Sequence, residues 1–220
     1  MAGRGPDRKA RCGGSLIDTT HVLTAAHCAT DSTTGETIAP NGFLVVAGVS
    51  QLTKEAEEEG VAVSSVRVHP YWTGSSPDAD DVAVLLLAKA LPTGPSIQPI
   101  TPARAGGGPA EGTAVRLTGF GEQNPFEEEK PDGNLYALPM TVGYSRTCGL
   151  EADAVFVCAS SPAGTACRGD SGGGLTSTSV PAALLGVVDF GLVAPGQHCP
   201  AGSINGFANL SAPEIGRFRR

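Results

Sequence analysis

Asp80–Leu87 reads DDVAVLLL. The apolar run Val82–Leu87 lacks the polar alternation of a half-exposed strand and is too short for a core helix. It therefore reads as a strand covered on both faces, with two carboxylates, Asp80 and Asp81, at its mouth. Apolar character stops at Lys89, far short of the ~18 residues of a membrane-spanning helix, so no membrane partner is expected.

Similar short runs lie to either side: Leu16–Ile17, His21–Thr24, Phe43–Gly48, Val61–His69, Ala114–Gly119, Ala154–Cys158 and Leu184–Val188. Clusters of turn-forming residues separate them, which is the pattern of many short strands. A helical period is confined to the end of the chain after Ser211, where a short helix is expected. The fold class is accordingly all-β. Segment Leu91–Gly112, rich in proline and glycine, divides the strands into two groups and predicts two domains, residues 1–102 and 103–220. The acidic run Glu55–Glu59 reads as a solvated loop.

The 220 residues carry a net charge of −7, which leaves no basic face to neutralise phosphates and argues against a nucleic-acid partner. Charged residues make up 17% of the chain, below the ~25% of an average soluble domain. With 30 glycines and 17 prolines, the composition suits a turn-rich globule better than a helical bundle. Six cysteines without a CxxC pair predict three disulfides and an oxidising, extracellular setting.

Two further strings carry chemistry. TAAHC at Thr24–Cys28 places a histidine where a strand ends, with Thr24 positioned to cap a short helical turn that presents His27. CRGDSGGG at Cys167–Gly174 is a glycine-rich turn around Ser171. A serine hydroxyl needs a base within hydrogen-bond reach, and the base needs a fixed orientation; Ser171, His27 and Asp81 supply those three roles. Glycines beside the serine allow a sharp turn that frees the amides of Gly169 and Ser171 to donate to a developing oxyanion. Arg168–Gly169–Asp170 also spells an integrin-binding tripeptide, and His27–Cys28 and His198–Cys199 hint at zinc, though with unsuitable spacing.

The three strings, in the order His27, Asp81, Ser171, resemble the chymotrypsin-like (trypsin-like) serine proteases over about Cys12 to Phe207. The resemblance implies two six-stranded antiparallel β-barrels with the active site between them, and peptide-bond hydrolysis through an acyl-enzyme, without cofactor or metal. It assigns His27 as general base and acid, Asp81 as orienting carboxylate and Ser171 as nucleophile. The amides of Gly169 and Ser171 form the oxyanion hole. Disulfides Cys12–Cys28, Cys148–Cys158 and Cys167–Cys199 follow from the same resemblance, as do polypeptide substrates, protein protease inhibitors as partners, and a secreted monomer. Thr165 falls at the base of the primary specificity pocket, where an Asp would select Lys or Arg, so trypsin specificity is disfavoured and a medium or large apolar residue is expected. Asp189, Phe190 and Gly191 fall on the strand that pairs with the substrate backbone, and Gly191 leaves the mouth of the pocket open.

Four departures stand out. Asp80 replaces a common Asn. Asp189 occupies the place of a serine, bringing a second carboxylate toward Asp81, where the two would titrate as a coupled pair. Val49 stands where a calcium loop would offer its first carboxylate, despite Glu55 and Glu57–Glu59. Finally, Asp170 is the carboxylate that in the family receives a freed Ile or Val amine, whereas residues 1–11 contain neither, leaving Arg11, Lys9 and Arg168 as nearby cations. The expectation is a chain started downstream of its export signal, with the first strand of the N-terminal barrel missing. Asp189 and the absent terminus favour a rival reading, a catalytically silent or zymogen-like protein of protease fold that binds a partner.

Overall fold

The computed structural model describes residues 2–4, 11–106, 108–124, 126, 130–144, 148, 155–194 and 196–219. Its chain forms two largely antiparallel sheets. The first contains β1 (Ala2–Arg4), β2 (Arg11–Cys12), β3 (Ser15–Leu16), β4 (His21–Thr24), β5 (Phe43–Val45), β6 (Val61–Val68) and β7 (Ala83–Leu87), in the order β2-β1-β5-β6-β7-β4-β3. Both ends of that order come from one stretch, residues 11–16, so the sheet curls around its own core. The second contains β8 (Thr101–Pro102), β9 (Ala114–Gly119), β10 (Tyr136–Val142), β11 (Phe156–Ser160), β12 (Gly174–Ser177), β13 (Ala183–Leu192) and β14 (Ile204–Asn209). There the pairing of β12 with both β9 and β13 closes the barrel.

Burial explains why the decisive run does not alternate. Ala83, Leu85 and Leu87 of β7 face the first barrel's interior with Val22, Phe43, Val45 and Val63. Val82 and Val84 face the other way, into a layer shared with Leu23 and with Leu184, Val187 and Leu210 of the second half. Both faces of β7 are thus largely covered, with Leu86 alone half-buried. The second barrel closes on Val115, Leu117, Val157, Leu175 and Phe207.

Three short α-helices and a 3-10 turn (Pro40–Gly42) complete the described chain: α1 (Ala26–Ala29), α2 (Lys54–Glu58) and α3 (Pro213–Phe218). The last is the expected C-terminal helix; its Ile215 plugs the layer between the barrels. α2 corrects the reading of Glu55–Glu59 as a loop. Thr53 accepts the amide of Ala56 as an N-cap, and glutamates in a first turn suit the helix dipole.

The missing first strand also needs correction, because Ala2–Arg4 pairs with both β2 and β5 and lines that edge over three residues. The crossover between sheets is completed before residue 101, since Thr101–Pro102 already pairs in parallel with β13. Ala154, Lys9 and most of the N-terminal basic stretch lie outside the described residues.

Candidate active site

His27 projects from α1, one turn wedged into the protein by the buried side chains of Ala26, Cys28 and Ala29. The expected cap does not form. Thr24 still belongs to β4, and its hydroxyl donates instead to the Gly13 carbonyl at 2.8 Å. What orients the histidine is Asp81, wholly buried in the turn that leads into β7. Its Oδ1 accepts the His27 backbone N–H at 2.8 Å and its Oδ2 meets the ring Nδ1 at 2.6 Å. With the carboxylate ionised, Nδ1 carries the ring proton and Nε2 is left as the acceptor.

Ser171 sits in a turn held by two short backbone bonds, Asp170 N–H to Cys167 O and Gly173 N–H to Asp170 O. Gly172 has φ +77°, and a Cβ there would lie 2.3 Å from Thr24 Oγ1 and 3.0 Å from the Ala25 nitrogen. Only a glycine lets this turn reach the start of α1. Gly13 completes the junction, donating its amide to the Ser171 carbonyl at 2.7 Å. The structure thus brings His27 and Asp81 into contact and sets the Ser171 turn against the residues just ahead of His27. Among the described residues, the amides of Gly169 and Ser171 form no hydrogen bond.

Asp170 is buried, which rules against a displayed integrin tripeptide. Its carboxylate accepts the amides of Gly121 and Cys167, each at 3.0 Å. Burial pushes its pKa up, and the two amides pull the other way.

The pocket residues converge on one side chain that the sequence did not flag. Asn205 of β14 is fully buried and pairs across the sheet with Gly191. Its Nδ2 donates to Thr165 Oγ1 at 2.8 Å, and its Oδ1 accepts the Ala166 amide at 3.0 Å. A Cβ on Gly191 would lie 3.3 Å from that same Nδ2. Asn205 therefore occupies the space between Thr165 and Gly191. Phe190 packs edge-on against Phe156, with ring centroids 5.5 Å apart. Beyond Asp189, the edge of β13 opposite β14 pairs with no strand among the described residues and is open to an extended peptide.

Asp189 is 5% exposed and joins Asp81 and His27 in a cluster whose nearest ligand-type atoms lie within 4.8 Å of one another. Its Oδ2 accepts the Asp78 amide at 3.0 Å. Burial first, and then the charge of Asp81, push its carboxyl up to about 8.

His198 meets Glu122 at 2.6 Å beside the Cys167 sulfur, a contact the sequence did not suggest. Disulfides join Cys12 to Cys28, Cys148 to Cys158, and Cys167 to Cys199. These are the pairs implied by the resemblance. Because they engage every cysteine, neither His27 nor His198 has a neighbouring thiolate for zinc.

Fold and site together define a protein of the chymotrypsin-like protease class. The sequence model of the family described as Trypsin matches residues 2–210. Trypsin beta of Drosophila erecta is 30% identical over 188 residues, spanning 82% of this chain and 68% of that protein. Serine protease SP24D of Anopheles gambiae is 32% identical over 204 residues, 91% of this chain and 68% of its own. Fibrinolytic enzyme isozyme C of Lumbricus rubellus shares 26% over 188 residues. The chain belongs to the trypsin family and is a serine-type endopeptidase. Polypeptides are its substrate class, and its three disulfides fit an extracellular protein.

Proposed function

We propose that the enzyme cleaves peptide bonds through an acyl-enzyme on Ser171, without a cofactor. His27 Nε2 takes the serine proton and later delivers it to the leaving amine. Asp81 holds the ring through Nδ1 and stabilises the imidazolium, and the amides of Gly169 and Ser171 receive the oxyanion. The observation that carries this reading is the double grip of buried Asp81 on His27, through ring and backbone, with the Ser171 turn tied to the same corner by Gly13. Labelling by a fluorophosphonate tests it. Wild-type protein is expected to be labelled at Ser171, and Ser171→Ala and His27→Ala are expected to remain unlabelled; an unlabelled wild type sinks the mechanism.

The open edge of β13 suits an extended substrate segment at Phe190 and Gly191, and equally the exposed loop of a protein inhibitor. Thr165 provides no buried charge, so a Lys or Arg side chain would enter without a counter-ion, which is costly. The Asn205 side chain takes up depth beneath Gly191. That favours a small, uncharged residue before the scissile bond, narrower than the medium or large apolar residue expected from Thr165 and Gly191 alone. The enzyme acts as a secreted monomer. A peptide panel cleaved best after Arg or Phe would overturn this preference.

A further inference from the structure

Asp189 presents a problem of hydrogen-bond accounting. Asp81 already takes two donors from His27, and the Ser76 hydroxyl approaches its Oδ2 at 3.5 Å. That hydroxyl lies close to both carboxyls, and Asp189 takes the Asp78 amide on Oδ2. Its Oδ1 is buried with no partner among the described residues. If both carboxyls were ionised, two buried negative charges would face each other and an oxygen would remain unsatisfied, each of which is expensive. One proton resolves both difficulties. It cannot sit on Asp81 without weakening the bonds to His27, whereas on Asp189 Oδ1 it turns an orphan acceptor into a donor beside a carboxylate.

We propose that Asp189 is a positioning residue that keeps its carboxylic proton at neutral pH and donates it to Asp81, so that Asp81 remains the ionised partner of His27. This rests on the reading of His27 and Asp81 given above. The groups around Asp189 fit it. Asp81 and His27 are the ionisable groups that face it from the first sheet. Asp78 turns its carboxylate to Thr73, Asp80 turns toward His69, and Asp170 is engaged by Gly121 and Cys167. Strands β12 and β14, on either side of β13, contain no ionisable residue. Burial and the adjoining Asp81 charge place the loss of this proton at about 8. Above that, Asp189 no longer donates to Asp81, and its own charge competes with Asp81 for the Nδ1 proton, which loosens the hold on the ring.

The test is kcat/KM against pH for wild type, Asp189→Asn and Asp189→Ala, together with nuclear magnetic resonance of the His27 ring in histidine-labelled protein. Wild type is expected to lose activity on the alkaline side of about 8, and its His27 signals are expected to move in two steps. Asp189→Asn keeps a donor and cannot ionise, so its alkaline limb disappears and His27 titrates once. Asp189→Ala removes the donor as well and lowers kcat about tenfold, with KM little changed. Coincident profiles for wild type and Asp189→Asn, or a single His27 step in wild type, overturn the proposal. Should the variants fail to fold, the wild-type titration decides alone. Fluorophosphonate labelling separates the two readings, since a labelled enzyme whose His27 titrates once retains the triad and refutes the role of Asp189.

Discussion

The Gly13 amide donates to the Ser171 carbonyl across 2.7 Å, joining the stretch between β2 and β3 to the turn that presents the proposed nucleophile. There is no room for a side chain at this contact, because a Cβ on Gly13 would lie 2.7 Å from the Gly173 Cα and 2.8 Å from its nitrogen. Gly13→Ala is expected to push the Ser171 turn away from His27. A displacement of about 1 Å costs roughly 100-fold in rate, so fluorophosphonate labelling should slow by about that factor. A labelling rate within twofold of wild type would show that Gly13 does not set the geometry.

Asp170→Ala leaves the amides of Gly121 and Cys167 buried without their acceptor. Each unsatisfied donor costs about 1–3 kcal/mol, and the loss is expected in chemical denaturation. Gly121→Ala should have a comparable effect by a different route, because its Cβ would lie 2.3 Å from Asp170 Oδ2 and expel the carboxylate. Equal stability in either variant would mean that the turn can reorganise around the loss.

Replacing Asn205 with glycine removes the side chain between Thr165 and Gly191. Peptides with Leu or Phe before the scissile bond are expected to gain roughly 10- to 100-fold in kcat/KM relative to those with Ala, read from a matched peptide series. An unchanged ratio would show that Asn205 lies outside the path of the substrate side chain.

Folding stability carries the mark of Asp189. Its carboxyl titrates near 3.8 when unfolded and near 8 when folded. Between those values the folded chain binds the additional proton, so stability from this group is full below the lower value and is lost as pH rises through the upper one. Thermal unfolding across that window should therefore show wild type losing ground to Asp189→Asn as pH rises. A constant difference between the two contradicts a raised folded-state value.

Much of the site could be read along the chain because the turn around Ser171, the histidine after β4 and the carboxylate before β7 each have a local composition that only a few conformations satisfy. Strand β7 was legible for a similar reason, being continuously apolar. Strand β14 was not. Its sequence INGFAN has the glycine and asparagines of a turn, yet it is buried between β11 and β13, where Gly206 is needed because a Cβ would strike the Phe190 ring. Helix α2 hid in a run of glutamates, its one signal being Thr53 ahead of it.

By itself, the sequence determined the strand-rich class, the three reactive strings and their order, because each depends on neighbours within a few residues. Tertiary structure decided which oxygen meets which proton. The convergence of Asn205, Thr165 and Gly191 depends on the register of β13 against β14, and the unsatisfied oxygen of Asp189 depends on Asp81 arriving from the other barrel. Such relations arise from packing between distant segments, where burial removes the water that would otherwise satisfy each group separately.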